Sequence, residues 1–171
     1  KELIKRLNEK SVISVDTETS SLNPQEAELI GISISCADKD SFYIPLGHKK
    51  TVGLKKDFVL NKLKSILEDP SIKKVCQNTK YDYIIFKKHG VDLNPVEDTM
   101  LLSYTLDAGN NRHNMDTLSE IHLGHKTISY KDLVGTGKKQ LNFSDIDLKS
   151  ATEYAAEDAD VTLRLYNILS E

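Results

Sequence analysis

The feature that most constrains this chain is a pair of acids set into the end of an apolar run. Val12-Ile13-Ser14-Val15 reads as a short buried strand and leads directly into Asp16-Thr17-Glu18-Thr19. Side chains alternate along a strand, so Asp16 and Glu18 project from one face. Two carboxylates about 4 Å apart at the end of a central strand repel by roughly 4 kcal/mol at an effective dielectric near 20. A fold that keeps them together calls for a cation between them, and a divalent metal fits that place. A lone Asp-x-Glu is also what a solvated strand end looks like, so the decision falls to the rest of the chain.

The 171 residues are enough for one domain with a real core and short for two. Charged residues make up 29% and hydrophobic ones 39%, and no apolar stretch reaches the length of a bilayer span, so no membrane role is expected. The sequence opens at Lys1 with neither Met nor a basic-then-apolar leader, and the expectation is a piece of a longer chain. Cys36 and Cys76 each close a strand-like run and are expected as buried free thiols, which suits a reducing cytosol. A net charge of -3 is mildly unfavourable for binding nucleic acid, although acids held by metals would leave the remaining surface nearer neutral.

Periodicity predicts a helix over residues 1–9 and a half-buried strand in which Ile30, Ile32 and Ile34 alternate with Gly31, Ser33 and Ser35. A turn at 37–41 returns Phe42-Tyr43-Ile44 as a third strand, giving an antiparallel meander. Asp57 is placed as the cap of a helix carrying Leu60, Leu63, Ile66 and Leu67, ended by Pro70. Val75-Cys76 is a brief strand, followed from Asn78 by a helix that stops at Gly90, and this strand-to-helix switch marks a parallel connection. Asp98 caps a helix, Thr117-x-x-Glu120 forms a capping box for the next, and Gly124 stops it. Residues 127–143, with Gly135-Thr136-Gly137-Lys138-Lys139, read as an exposed mobile loop, and their Gly-x-Gly is no dinucleotide fingerprint. Asp147 caps a long final helix. The expected architecture is α/β: one mixed sheet, antiparallel in its first three strands and parallel thereafter, flanked by helices.

That last helix holds a second acid of interest. Its inward stripe is Tyr154, Asp158, Val161, Leu165 and Ile168, so Asp158 takes a core-facing position that is costly unless the carboxylate is paired or metal-bound. Tyr154, one turn earlier, shares the face. Asp82 falls in the first turn of the helix after Gln77-Asn78-Thr79-Lys80-Tyr81, where the helix dipole alone would favour an acid. His122-x-x-His125 and the other histidines lack the partners of a metal centre and are assigned solvated or structural roles.

In order and spacing, Asp16-Thr17-Glu18, Asn78-x-x-Tyr81-Asp82 and Tyr154-x-x-x-Asp158 resemble the three motifs of the DEDD exonuclease superfamily, tyrosine branch. The likeness to the 3′-to-5′ proofreading domains of bacterial family A DNA polymerases covers essentially all 171 residues, and includes Asp98-Thr99-Met100-Leu101 and Arg112-His113-Asn114-Met115-Asp116. It implies a ribonuclease H-like fold, a polymerase domain in the same longer chain, a monomer, and hydrolysis of nucleotides from a single-stranded DNA 3′ end. It also implies two divalent cations, Mg²⁺ or Mn²⁺. One would be held by Asp16, Glu18 and Asp158, the other by Asp16, with Asp82 acting through waters. Tyr154, whose phenol stays protonated at neutral pH, would orient the attacking water beside Glu18. Leu22 and Tyr130 stand where the family places a leucine and an aromatic residue against the terminal bases, the second often phenylalanine. Thr17, Thr19, Gln77, Asn78, Lys80, Tyr81 and Arg112 are candidate sugar and phosphate contacts. Stacking accepts any base and would give no sequence preference.

Three rivals remain. An RNA 3′-processing exonuclease would use the same four acids and differ in tolerating a 2′-hydroxyl. A phosphatase with Asp16 as nucleophile should have a second Asp where Glu18 stands. An idle DNA-binding scaffold should have lost at least one acid.

Overall fold

The computed structural model describes residues 2–171. Five strands form one sheet in the order β3-β2-β1-β4-β5. They are β1 (Val12–Thr19), β2 (Leu29–Ala37), β3 (Asp40–Pro45), β4 (Lys73–Cys76) and β5 (Val96–Asp98). β1, β2 and β3 pair antiparallel, whereas β4 runs parallel to β1 and β5 parallel to β4. The helices are α1 (Glu2–Asn8), α2 (Lys56–Leu67), α3 (Thr79–Lys88), α4 (Thr99–Asp107), α5 (Met115–Leu123), α6 (Tyr130–Val134) and α7 (Leu148–Leu169). The mixed sheet with flanking helices is the one expected. Lys1, the first residue of the anticipated first helix, lies outside the described residues.

Alternation along β1 divides the protein. Ile13 and Val15 enter a core with Ile32 and Ile34 of β2, Leu60, Leu63 and Ile66 of α2, and Ile85 and Phe86 of α3. Ser14, Asp16 and Glu18 point to the opposite face, where α7 lies; the Ser14 hydroxyl donates to the Ala159 carbonyl of that helix at 2.6 Å. α4 and α5 pack against the outer side of α7. β2 is buried along eight of its nine residues and not half-exposed, because α7 covers the face that Gly31, Ser33 and Ser35 present. A polar alternation that looked like solvent is therefore a row of small residues beneath a helix.

Other differences have local causes. Asp57 lies inside the first turn of α2, whose cap position is Lys55. α5 begins at Met115 with Asn114 at its cap, so Thr117-x-x-Glu120 forms no capping box; Asp116 instead accepts from Thr127. β5 is only three residues, too short for periodicity to register. The segment expected as a loop contains α6, with Val134 and Phe143 both buried. At the end of α7 the inward position is Leu169, while Ile168 is turned out. Asp98 and Asp147 cap their helices as expected, and Gly124 (φ +60°) ends α5.

Candidate active site

The site forms at the carboxyl ends of β1 and β4, where the strand direction changes from antiparallel to parallel neighbours. Ligands in open α/β sheets gather at such a place because the chain diverges there and leaves a crevice. Between Glu18 and Thr19 the pairing with β2 slips by one residue, so Glu18 faces Gly31 and Thr19 faces Leu29. Gly31 has a steric reason: a Cβ there would stand 2.1 Å from the Tyr43 hydroxyl oxygen, so only glycine lets that ring lie across β2 opposite Glu18.

Three acids converge. One carboxylate oxygen from each of Asp16, Glu18 and Asp158 lies within 4.8 Å of the others. Glu18 and Asp158 are 6% exposed, and Glu18 Oε1 is buried with no hydrogen-bond partner. None of the ion pairs among the described residues includes any of these acids, so no lysine or arginine offsets their charge. Burial is the leading cause that drives their carboxyls upward: Asp16 to about 7, Glu18 and Asp158 well above the carboxylate range. Mutual repulsion adds to the shift at Glu18 and Asp158.

Asp82 is the fourth acid, and it sits behind the strand. Its Oδ1 accepts from the Thr17 backbone N–H at 3.0 Å and from the Thr17 hydroxyl at 2.6 Å. Burial and the Asp16 charge raise it, while those two donors oppose the rise. Thr17 is thus committed to holding Asp82 against β1. Tyr154 stands over the cluster, its phenol driven far above the ordinary value by burial and then by Asp158, Glu18 and Asp16. It keeps its proton at neutral pH and can donate a hydrogen bond into the cleft.

A cleft of about 800 Å³ opens over the acids. Of the residues singled out in the sequence, Thr17, Thr19, Leu22, Asn78, Tyr81 and Tyr130 line it with Asp16, Glu18, Tyr154 and Asp158. Leu22 is 92% exposed, an apolar side chain held in solvent at the rim. Its loop is fastened from α3: the Tyr81 hydroxyl donates to the Ser21 carbonyl at 2.5 Å, and Lys88 Nζ donates to the carbonyls of Pro24, Gln25 and Ala27 at 2.9–3.0 Å. Thr19 also bonds to the Tyr81 hydroxyl. Gln77, Lys80 and Arg112 are not in the cleft wall. Gln77 donates to the His113 carbonyl at 2.9 Å, Lys80 borders a separate apolar groove beside α4, and Arg112 is exposed.

The sequence reading did not anticipate Gln140, Leu141, Asn142 and Phe143, which close the far wall. Asn142 bridges to the Leu22 loop by donating to the Ser20 carbonyl at 2.9 Å, while its oxygen accepts from Ser144. The one signal for this wall was Phe143, an aromatic residue isolated in a polar stretch; it packs against Tyr154 at 6.1 Å between ring centroids.

A central strand bearing two acids, a final helix bearing a third and a cleft above them define a ribonuclease H-like nuclease fold. The chain belongs to the 3′-5′ exonuclease family, whose profile matches residues 1–171. It is 45% identical over 178 residues to DNA polymerase I of Rhizobium leguminosarum, a match covering 92% of this chain and 18% of that protein. The chain therefore spans about a fifth of the length of the curated relatives it matches. Among solved structures, NrnC of Brucella melitensis superposes with a TM-score of 0.72 at 25% identity, covering 94% of this chain and 72% of that one. One structure of that protein carries bound Mg²⁺. Escherichia coli RNase D, an exoribonuclease, shares the fold with a TM-score of 0.75 at 21% identity over 99% of this chain and 41% of its own.

Proposed function

We propose that this domain is a two-metal 3′-to-5′ exonuclease that removes nucleotides from single-stranded or frayed DNA 3′ ends, proofreading for a polymerase domain in the same longer chain. The observation that carries the reading is the convergence of Asp16, Glu18 and Asp158 with a buried, unpartnered Glu18 oxygen and no protein cation to answer it. Hard carboxylate oxygens beside an open cleft fit Mg²⁺ or Mn²⁺. Asp16, Glu18 and Asp158 would hold one ion, and Asp16, with Asp82 acting through waters, the second. When bound, such a pair supplies an activated hydroxide and stabilises the leaving 3′ oxygen.

The chain's own residues do the rest. Tyr154, protonated, orients the attacking water by donating a hydrogen bond, and Glu18 accepts from that water on the other side. Asp82, clamped by Thr17, fixes the carboxyl end of β1 against α3. Leu22 and Tyr130 flank the cleft and take the terminal bases by apolar contact and stacking, which admits any sequence. A paired terminus cannot reach acids this deep, so the substrate end is single-stranded. Nucleoside 5′-monophosphates are the products. Two buried free thiols, Cys36 and Cys76, suit the cytosol, and no helix among the described residues is long and apolar enough to cross a membrane.

The test is a time course on 5′-labelled single-stranded DNA and RNA of one sequence, with Mg²⁺ or with chelator. Stepwise shortening of DNA that chelator abolishes is expected. Absence of metal-dependent shortening would overturn the reading, and faster loss of RNA would move it to RNA 3′ processing.

A further inference from the structure

The turn of α7 that carries Tyr154 and Asp158 also carries Glu157, whose carboxylate is used for something else. Its Oε1 accepts from His125 Nε2 at 2.8 Å, and its Oε2 accepts from the Ile128 backbone N–H at 2.6 Å. The Glu157 side chain is only 18% exposed, and both oxygens are committed to one short segment, the connection between α5 and α6. That segment is already tied to α5: the Ser119 hydroxyl donates to the His125 carbonyl at 2.8 Å, and Thr127 donates to Asp116 at 2.7 Å.

Two residues beyond Ile128, α6 begins with Tyr130. The helix is five residues long, well under the roughly 12 needed for a helix to hold itself in water, so its place is set by what fastens its ends and its buried side. Val134 secures the far end in the cluster with Phe143 and Ala151. Near the start, the Tyr130 ring meets Tyr154 edge-on, with 5.9 Å between centroids, and the Glu157 carboxylate pins the backbone entering the helix. Tyr130 lines the cleft from this position.

We propose that Glu157 is a positioning residue: its carboxylate, reaching the Ile128 amide and His125, seats the Tyr130 helix over the cleft so that Tyr130 can stack on the strand terminus. The inference rests on the nuclease reading above and adds to it a residue that touches neither metal nor substrate. Glutamine at 157 keeps an acceptor for the Ile128 amide, and alanine keeps none.

The experiment compares Glu157→Ala, Glu157→Gln, Tyr130→Ala and the Glu157→Ala/Tyr130→Ala double variant, each checked for native circular dichroism. Binding of a 5′-fluorescein-labelled thymidine hexanucleotide is read by anisotropy in chelator, turnover of the same strand with Mg²⁺, and amide hydrogen exchange over 126–134. Glu157→Ala is expected to weaken binding and raise KM about tenfold with kcat within about twofold, and Glu157→Gln to restore most of the loss. Tyr130→Ala should match Glu157→Ala, and the double variant should be no worse than either, since both remove one contact. Exchange at Ile128 and through α6 should speed up in the alanine variant and not in the glutamine variant. A fall in kcat at unchanged KM, additive losses in the double variant, or a Tyr130→Ala that binds normally would each overturn the proposal. Should the wild type shorten no strand at all, the nuclease reading fails by itself; unchanged exchange in Glu157→Ala would then refute the latch separately.

Discussion

Two buried charges on neighbouring strands show opposite solutions to one problem. Lys74 on β4, paired with Ile13 of β1, is fully buried, yet its ammonium donates to the carbonyls of Asp69, Ile72 and Asn94 at 2.5–2.8 Å and more weakly to Ile66 at 3.4 Å. Burial pulls it down to about 8, still above neutral, and the fold supplies its partners in full. Three residues along β1 from Ile13, the acids begin. Asp16, Glu18 and Asp158 have no cation of the protein's own, one Glu18 oxygen has no partner, and a cleft opens over them. A charge that serves structure is closed off by the backbone. The acid cluster is left open to the cleft, and burial and mutual repulsion stand unrelieved by any side chain of the described residues.

The largest effect that would break this contrast comes from removing an acid. Asp158→Ala is expected to cut turnover by about 10³-fold or more, as loss of ~4 kcal/mol of metal-borne transition-state stabilisation would require, while the metal-free protein melts no lower than wild type. Near-normal release of nucleotide from a labelled strand would remove Asp158 from the site. The converse holds at the other charge. Lys74→Met leaves a group of buried carbonyls without a donor and should cost about 3 kcal/mol in urea unfolding, with turnover per folded molecule unchanged. A smaller loss is expected of Tyr154→Phe: roughly tenfold in kcat with strand binding retained, since the substitution removes only the hydroxyl proposed to orient the attacking water. Equal losses in binding and turnover would make Tyr154 a binding residue.

The remaining effect is spread over a pH range and not tied to one side chain. In metal-free protein the folded carboxyls sit above their unfolded values, Asp16 at about 7 against an ordinary value near 4, so between those limits the folded state holds more protons than the unfolded one. Stability should fall as pH rises from about 4 to 7, and saturating Mg²⁺ should flatten that fall by holding the carboxylates ionised. Urea midpoints across the range, with and without metal, measure it; a midpoint that rises with pH in chelator would contradict the shift.

Much of this was legible in the sequence because its periodicities are strong. Asp16 and Glu18 two apart on a strand, and Asp158 on the apolar stripe of a long helix, are positions that alternation and helical spacing locate without coordinates. What periodicity cannot show is which side another element covers. Gly31, Ser33 and Ser35 read as a wet face because small polar residues do not distinguish water from a closely packed helix. α6 and the Gln140–Phe143 wall were lost in a glycine-rich stretch whose structure comes from tertiary anchors such as Glu157 and Asn142, not from local pattern. Gln77, Lys80 and Arg112 show the reverse: motif neighbours in sequence that are not part of the cleft wall.

The central claim is that these acids await a cation, and thermal melting of metal-free protein against added Mn²⁺ tests it most directly. At a concentration 100 times the dissociation constant, binding to the native state alone contributes about 2.7 kcal/mol, or roughly 5–10 °C for a domain of this size. The account predicts that rise for the wild type and its loss in Asp16→Ala and Asp158→Ala. A wild type that melts at the same temperature with millimolar Mn²⁺ as with chelator would contradict it.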